Sequence, residues 1–194
     1  MASYHRPREL AEALEVLRDG RVTIIAGGTD YYPARVERPA NDDLLDITAI
    51  EGLRRIEVMP EHFRIGAGVT WTDLIRADLP PCFDGLKLAA REIGGVQIQN
   101  TGTIAGNVCN ASPAADSMPN LLALEAAVEL ASAEGRRVMP LAQFAEEHCL
   151  DRTAGTQSFF DQASALHPDE SGFRRQATAQ CHAELLEPAV VAAG

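Results

Sequence analysis

The sequence predicts an α+β fold made of two lobes and a tail that resembles neither. Its first part alternates a helix with short apolar strands, in the manner of a β-α-β unit. Its second part holds two strand pairs with tight turns, separated by helices. We place lobe 1 at residues 1–52, lobe 2 at 53–150 and the tail at 151–194. Lobe 2 is expected to be mixed, with a mostly antiparallel sheet.

Lobe 1 begins with an amphipathic helix over Pro7 to Asp19, because its leucines recur on one face at helical spacing. The apolar run VTIIA, Val22 to Ala26, predicts a buried strand that ends abruptly in Gly27-Gly28-Thr29-Asp30. A second buried strand is expected at LLDI, Leu44 to Ile47. These elements give the β-α-β-like unit.

Lobe 2 shows strand alternation in RRIEVM and FRIGAGVT, which a short turn joins into a hairpin. Thr70 and Asp73 have the spacing of a capping box and predict a helix at WTDLIRA. LKLAAREIG predicts a further helix with Gly94-Gly95 beyond its end. VELAS and RRVMPL, separated by Glu134-Gly135, predict a second hairpin.

Charge and hydropathy exclude several classes of partner. The formal net charge of −11 argues against nucleic acid or an anionic membrane surface, since both require a basic face. A phosphate-bearing ligand would have to be held mainly by backbone N–H groups. No apolar run approaches the ~20 residues of a membrane span, and the N-terminus lacks a secretory signal pattern. We therefore expect a cytoplasmic protein.

Neither the cysteines nor the histidines indicate a metal or a catalytic centre. The four cysteines, Cys82, Cys109, Cys149 and Cys181, form no C-x-x-C pair, so we expect separate thiols and neither a zinc ribbon nor an iron–sulfur cluster. None of the five histidines has a partner that suggests acid–base chemistry. We expect no metal ligands and no catalytic general acid or base in this chain.

The segment TIIAGGTD, Thr23 to Asp30, has the composition of a phosphate-binding loop. Two glycines let the backbone approach a phosphate closely and direct several N–H groups toward it. An ordinary strand-to-helix turn with a threonine cap explains the same residues. Taken alone, the segment leaves both interpretations open, because it is not a G-x-G-x-x-G motif.

The segment from Val96 to Leu124 is long, polar and rich in small residues. Gly102 and Gly106 are followed by polar side chains at close spacing, which are costly to bury without hydrogen-bond partners. A bound ligand would supply such partners. A hydrated loop, with Asp116 as the N-cap of the next helix, remains the alternative.

Three motifs in this order resemble the FAD-binding subunit of the molybdenum hydroxylases, the family of xanthine dehydrogenase, aldehyde oxidase and carbon monoxide dehydrogenase. They are AGGTD at Ala26 to Asp30, IGAGVTWTDL at Ile65 to Leu74, and QIQNTGTIAGNVCNASPAADSMPNLLAL at Gln97 to Leu124. The last is the most specific, with T-I-x-G-N followed by N-A-S-P-x-x-D. Ala105 stands where this family usually has a second glycine. The resemblance covers residues 1 to about 148.

The resemblance implies a two-lobed FAD-binding fold of the vanillyl-alcohol oxidase type, with the flavin held between the lobes. By analogy, the backbone of residues 26–30 and of the turn from Thr103 to Asn107 would cradle the pyrophosphate. Side chains of the second motif would then bond phosphate or ribose oxygens. The cofactor-binding residues so implied are Ala26, Gly27, Gly28, Thr29, Asp30, Thr103, Gly106, Asn107, Asn110 and Asp116.

The family's function implies an electron-transfer subunit of an oxidoreductase. Electrons would pass from [2Fe–2S] centres on a small subunit through FAD to NAD⁺, or in some members to O₂, while a molybdopterin on a large subunit hydroxylates the substrate. A flavin-free binding or assembly module with the same fold is the alternative. A stand-alone flavin reductase of the cell-wall type is a further alternative, although the tail supplies no convincing protonating residue.

The tail departs from the family. Family members continue beyond a PL-x-x-F segment, here Pro140 to Phe144, into a further strand and a C-terminal domain. Residues 151–194 resemble neither, and we expect only a short helix around Ala179 to Val191. The chain therefore reads as truncated, with a tail that is disordered or out of frame and without the family's C-terminal domain.

Overall fold

A three-stranded parallel sheet forms the first part of the chain. In the computed structural model, which describes residues 2–19, 22–35, 41–110, 116–148 and 189–191, its strands are β1 (Tyr4–His5), β2 (Thr23–Ile25) and β3 (Leu44–Asp46), in the order β1-β3-β2. Helix α1 (Leu10–Asp19) connects β1 to β2, and β2 and β3 are the two strands predicted in this part of the chain. The sequence did not predict β1, because two residues are too few to show a strand period.

A five-stranded sheet forms the second part, in the order β4-β5-β8-β6-β7. Its strands are β4 (Ile56–Val58), β5 (Phe63–Ile65), β6 (Ala127–Ser132), β7 (Gly135–Pro140) and β8 (Ala189–Val191). Both predicted hairpins are confirmed, since β4 pairs antiparallel with β5 and β6 with β7. In the sequence, the strands of the first sheet thus come before residue 52 and those of the second sheet come after it. The division into lobes stays a prediction.

The central strand of this sheet comes from the tail. Strand β8 runs parallel to both β5 and β6, with Val190 opposite Ile65 on one side and Val128 on the other. The helix predicted around Ala179 to Val191 is therefore wrong for its last three residues, which the sheet recruits as a strand. The rest of the predicted helix lies outside the described residues.

Six helices and three short 3₁₀ turns complete the described elements after α1. The helices are α2 (Trp71–Arg76), α3 (Asp84–Glu92), α4 (Val96–Gln99), α5 (Ile104–Asn110), α6 (Met118–Ala123) and α7 (Leu141–His148). The 3₁₀ turns are Pro33–Arg35, Glu51–Arg54 and Pro81–Phe83. The predicted capping box is confirmed, because the Thr70 hydroxyl accepts from the Asp73 N–H and the Asp73 carboxylate accepts from the Thr70 N–H.

The glycine-rich segment is more ordered than its composition suggests. It contains α4 and α5, where the sequence indicated an irregular run. Helix α5 buries Ile104, Ala105 and Val108 on one face. The spacing of these residues, i, i+1 and i+4, is a helical face too short to stand out among glycines and asparagines.

One hydrophobic core extends across both sheets. It joins Ala13 of α1 and Leu45 of β3 to Val69, Trp71 and Val128 in the second part of the chain. Trp71 is among its largest side chains and is 2% exposed. Cys82 is disulfide-bonded, so the expectation of separate thiols is wrong for that residue.

Candidate functional site

A cavity of about 580 Å³ lies between the loop that follows β2 and the segment from α4 to α6. Every residue predicted to bind the cofactor lines it. These residues are Ala26, Gly27, Gly28, Thr29, Asp30, Thr103, Gly106, Asn107, Asn110 and Asp116. The structure therefore brings two segments, separated by more than seventy residues in the sequence, to the same concave surface. A cavity of this size is typical of cofactor sites.

The two glycine-bearing bends touch each other backbone to backbone. A Cβ atom placed on Gly27 would lie 2.0 Å from the carbonyl oxygen of Thr101 and 2.9 Å from Cα of Gly102. Such distances are far shorter than van der Waals contact, so no side chain fits at position 27. Gly28 has φ of +65°, a conformation that favours glycine. Close approach of the bends therefore depends on these glycines.

The first bend holds backbone donors beside the cavity. Among the described residues, the N–H groups of Gly27, Gly28, Thr29 and Asp30 donate to no protein acceptor, although all four residues line the cavity. Successive N–H groups in a tight bend form a concave site for anions. This arrangement fits a pyrophosphate, which would accept these hydrogen bonds.

The second bend is fixed to the start of α2. The Trp71 N–H donates to the Gly102 carbonyl at 3.2 Å, and the Ile104 N–H donates to the Val69 carbonyl at the same distance. The Thr103 side chain is buried, and its Oγ1 accepts from the Gly106 N–H at 3.0 Å. These bonds order the start of α5.

Asn107 and Asp116 bond to the protein itself. The Asn107 amide nitrogen donates to Asp116 Oδ2 at 3.3 Å, and its amide oxygen accepts from the Ser117 hydroxyl at 2.7 Å. Ser117 is fully buried. Asn107 therefore ties the end of α5 to the start of α6 with both ends of its amide. Its predicted direct contact with phosphate or ribose stays a prediction, as does that of the exposed Asn110.

We expect Asn107→Leu to destabilise the chain by about 1–3 kcal/mol, because the buried Ser117 hydroxyl loses its acceptor. Urea unfolding followed by tryptophan emission measures this change. Asn110→Leu is the matched control and should change stability by less than about 0.5 kcal/mol, since Asn110 is exposed. Equal effects of the two substitutions would contradict the tie between α5 and α6.

The charges around the cavity explain how an acidic chain can hold phosphate. Its charged lining residues, within the described part of the chain, are Asp30, Arg35 and Asp116. The single cation, Arg35, forms an ion pair with Asp42 at 2.9 Å. Because no uncompensated positive side chain lines the described cavity, a phosphate bound there would have to be held by main-chain amides.

Several residues that line the cavity were not predicted from the sequence. Tyr31, Arg35, Trp71, Ile93 and Ile98 also line the cavity. Tyr31 and Arg35 directly follow the glycine loop, and Trp71 is the only tryptophan, placed directly after the capping threonine. That uniqueness was a usable signal. Ile93 and Ile98 carried none, because isoleucine near a helix end usually belongs to the core.

The sequence of this chain matches a known protein family. Residues 1–156 match the family model described as the FAD binding domain in molybdopterin dehydrogenase. The chain belongs to this family. FAD is accordingly its cofactor, and the resemblance and the α+β FAD-binding fold predicted from the motifs are confirmed. The family is one of oxidoreductases, and this chain corresponds to its FAD-binding subunit.

Individual relatives agree with the family match. The xanthine dehydrogenase FAD-binding subunit of Escherichia coli O157:H7 is 35% identical over 150 residues, which are 74% of this chain and 50% of the relative. The nicotinate dehydrogenase FAD-subunit of Eubacterium barkeri is 35% identical over 152 residues, 73% of this chain and 49% of the relative. The chain thus spans about half the length of these relatives.

A solved structure shares the fold. Carbon monoxide dehydrogenase from Hydrogenophaga pseudoflava superimposes with a TM-score of 0.65 and 32% identity, covering 74% of this chain and 51% of that one.

Within the residues that the structure describes, no helix has the length and apolar character needed to cross a membrane. The same residues contain no cluster of His, Cys, Asp or Glu side chains suited to a metal ion.

Proposed function

We propose that the cavity between the two bends holds FAD, with its pyrophosphate on the amides of residues 26–30 and against the backbone of the turn from Thr103 to Asn107. The main support is that residues 27–30 line the cavity while their N–H groups donate to no acceptor within the described part of the chain. Anionic oxygens accept such hydrogen bonds strongly. Thr103 contributes by fixing the second bend, and Trp71 supports it from the core.

In the proposed complex, this chain is the electron-transfer subunit. The bound flavin supplies the redox chemistry, while the protein positions it and sets its surroundings. Electrons would arrive from [2Fe–2S] centres of a small subunit and leave for NAD⁺ or another acceptor, and a molybdopterin-binding large subunit would hydroxylate the substrate. The names of the relatives support this proposal, since several are FAD subunits or medium chains of dehydrogenases.

Retention of flavin by the purified chain tests the proposed site. After incubation with FAD and removal of unbound ligand by gel filtration, we expect visible flavin absorbance to elute with the protein. Riboflavin, which lacks the phosphates, should be washed away. A colourless protein after FAD loading would contradict the proposal and favour the flavin-free assembly module. Equal retention of riboflavin would show that the amides of the first bend are not the main contacts.

A further inference from the structure

The side of the cavity next to the glycine loop carries a stacked pair of planar groups. The Arg35 guanidinium lies 3.7 Å from the centroid of the Tyr31 ring, and both residues line the cavity. Tyr32 packs edge-on against Tyr31, with ring centroids 5.2 Å apart. One side of the guanidinium is therefore covered by an aromatic ring, and Arg35 also forms part of the cavity wall, where a planar ligand group could stack on it.

Hydrogen bonds fix the orientation of this pair. Nε of Arg35 donates to Asp42 Oδ2 at 3.0 Å, Nη1 donates to the Tyr31 carbonyl at 3.3 Å, and Nη2 forms an ion pair with the same Asp42 oxygen at 2.9 Å. The Tyr31 hydroxyl donates to the same Asp42 oxygen at 2.8 Å. That bond, together with the Arg35 charge, holds the pKa of Asp42 below its ordinary value, against the opposing effect of burial. Asp42 therefore remains the anionic partner of Arg35 at neutral pH.

The pairing with Asp42 determines what Arg35 can offer to a ligand. Its charge is compensated, and donors on all three of its nitrogens are engaged, so it is poorly placed to act as a phosphate clamp. Because Arg35 lines the cavity, its planar group suits stacking, which guanidinium groups form with nucleobases. Its side chain is also 33% exposed, which suits a ring with polar edges.

We propose that Arg35, held over the Tyr31 ring by Asp42, is the stacking platform for the adenine ring of FAD. This inference rests on the proposed function. FAD contains two planar ring systems, adenine and isoalloxazine. The chemistry of the cavity walls indicates which part of the cavity suits each ring. Trp71, Ile93 and Ile98 line the cavity with apolar surface and suit the larger isoalloxazine with its dimethylbenzene edge. The polar platform suits adenine, which carries ring nitrogens and an amino group.

Affinities of ADP, inorganic diphosphate and FMN, measured by competition against FAD, test the platform. Arg35→Lys keeps the charge but removes the plane, and we expect it to weaken ADP and FAD about 5- to 100-fold, the usual range for loss of a base stack. Diphosphate and FMN should bind as they do to the wild type. Arg55→Lys is the matched control, because the exposed Arg55 side chain pairs with Glu51 and does not line the cavity, so it should change ADP affinity less than about threefold.

Four other results of these measurements are possible, and each leads to a different conclusion. If wild-type protein binds FAD and Arg35→Lys leaves ADP affinity unchanged, the platform is wrong while the proposed site stands. If FMN alone weakens, the ring on Arg35 is the isoalloxazine and the adenine assignment is wrong. If diphosphate weakens together with ADP, Arg35 acts on phosphate. If wild-type protein binds no FAD, the proposed function itself fails. Near-UV circular dichroism confirms that each variant is folded.

Discussion

Gly27→Ala is expected to abolish close contact between the two bends and to weaken FAD binding about a hundredfold. The added methyl group would lie 2.0 Å from the Thr101 carbonyl oxygen, and the neighbour is backbone, which cannot rotate away. Separating the bends would lengthen at least two amide-to-phosphate hydrogen bonds, each worth about 1.5 kcal/mol when the acceptor is charged. The same clash should lower the free energy of unfolding by about 3 kcal/mol.

Equilibrium dialysis with FAD and urea unfolding measure the two effects of Gly27→Ala. Gly52→Ala is the matched control, because nothing lies within 4 Å of a Cβ atom at that position. It should leave FAD affinity unchanged and alter stability by less than about 0.5 kcal/mol. A Gly27→Ala protein that binds FAD as tightly as the Gly52→Ala protein would show that the ligand does not lie between the bends.

Trp71→Ala is expected to lower the free energy of unfolding by about 3–5 kcal/mol, the usual cost of deleting a large buried aromatic side chain. Trp71 is 2% exposed and packs in the core that joins the two parts of the chain. Its ring also lies beside Gly102, since a Cβ atom there would be 3.4 Å from Trp71 Cδ1. The substitution should therefore loosen the second bend as well.

Urea unfolding followed by far-UV circular dichroism measures the effect of Trp71→Ala, because the variant has lost its fluorophore. Leu88→Ala is the control, since Leu88 is 60% exposed on α3, and its loss should cost less than about 0.5 kcal/mol. Trp71→Phe should fall between the two. A loss below about 1 kcal/mol for Trp71→Ala would contradict its place in a packed core.

Local patterns predicted much of the fold. The Thr70–Asp73 capping box and both hairpins depend on residues close together in sequence, so spacing alone reveals them. Strand β8 could not be found in this way. It lies between β5 and β6 only through contacts with residues more than sixty positions away, and three residues carry no period of their own.

The cavity was predictable for a different reason. Composition alone left both glycine segments ambiguous, whereas the specific order of the motifs identified the residues that line the cavity. The Tyr31–Arg35–Asp42 cluster remained invisible, because its contacts depend on how the chain turns after the glycine loop. The roles of Asn107 and Asp116 also required coordinates, since polar side chains near a ligand site can bond the ligand or each other.

A titration with FAD, followed by the fluorescence emission of Trp71, tests whether FAD binds in the cavity between the two bends. Trp71 is the only tryptophan in the chain and lines the cavity, so a flavin bound there should quench it. We expect saturable quenching that ends at one FAD per chain. Excess ADP should displace the FAD and restore the emission. Quenching that rises without saturation, or that riboflavin reproduces at the same concentrations, would contradict a dinucleotide held by backbone amides between the two bends.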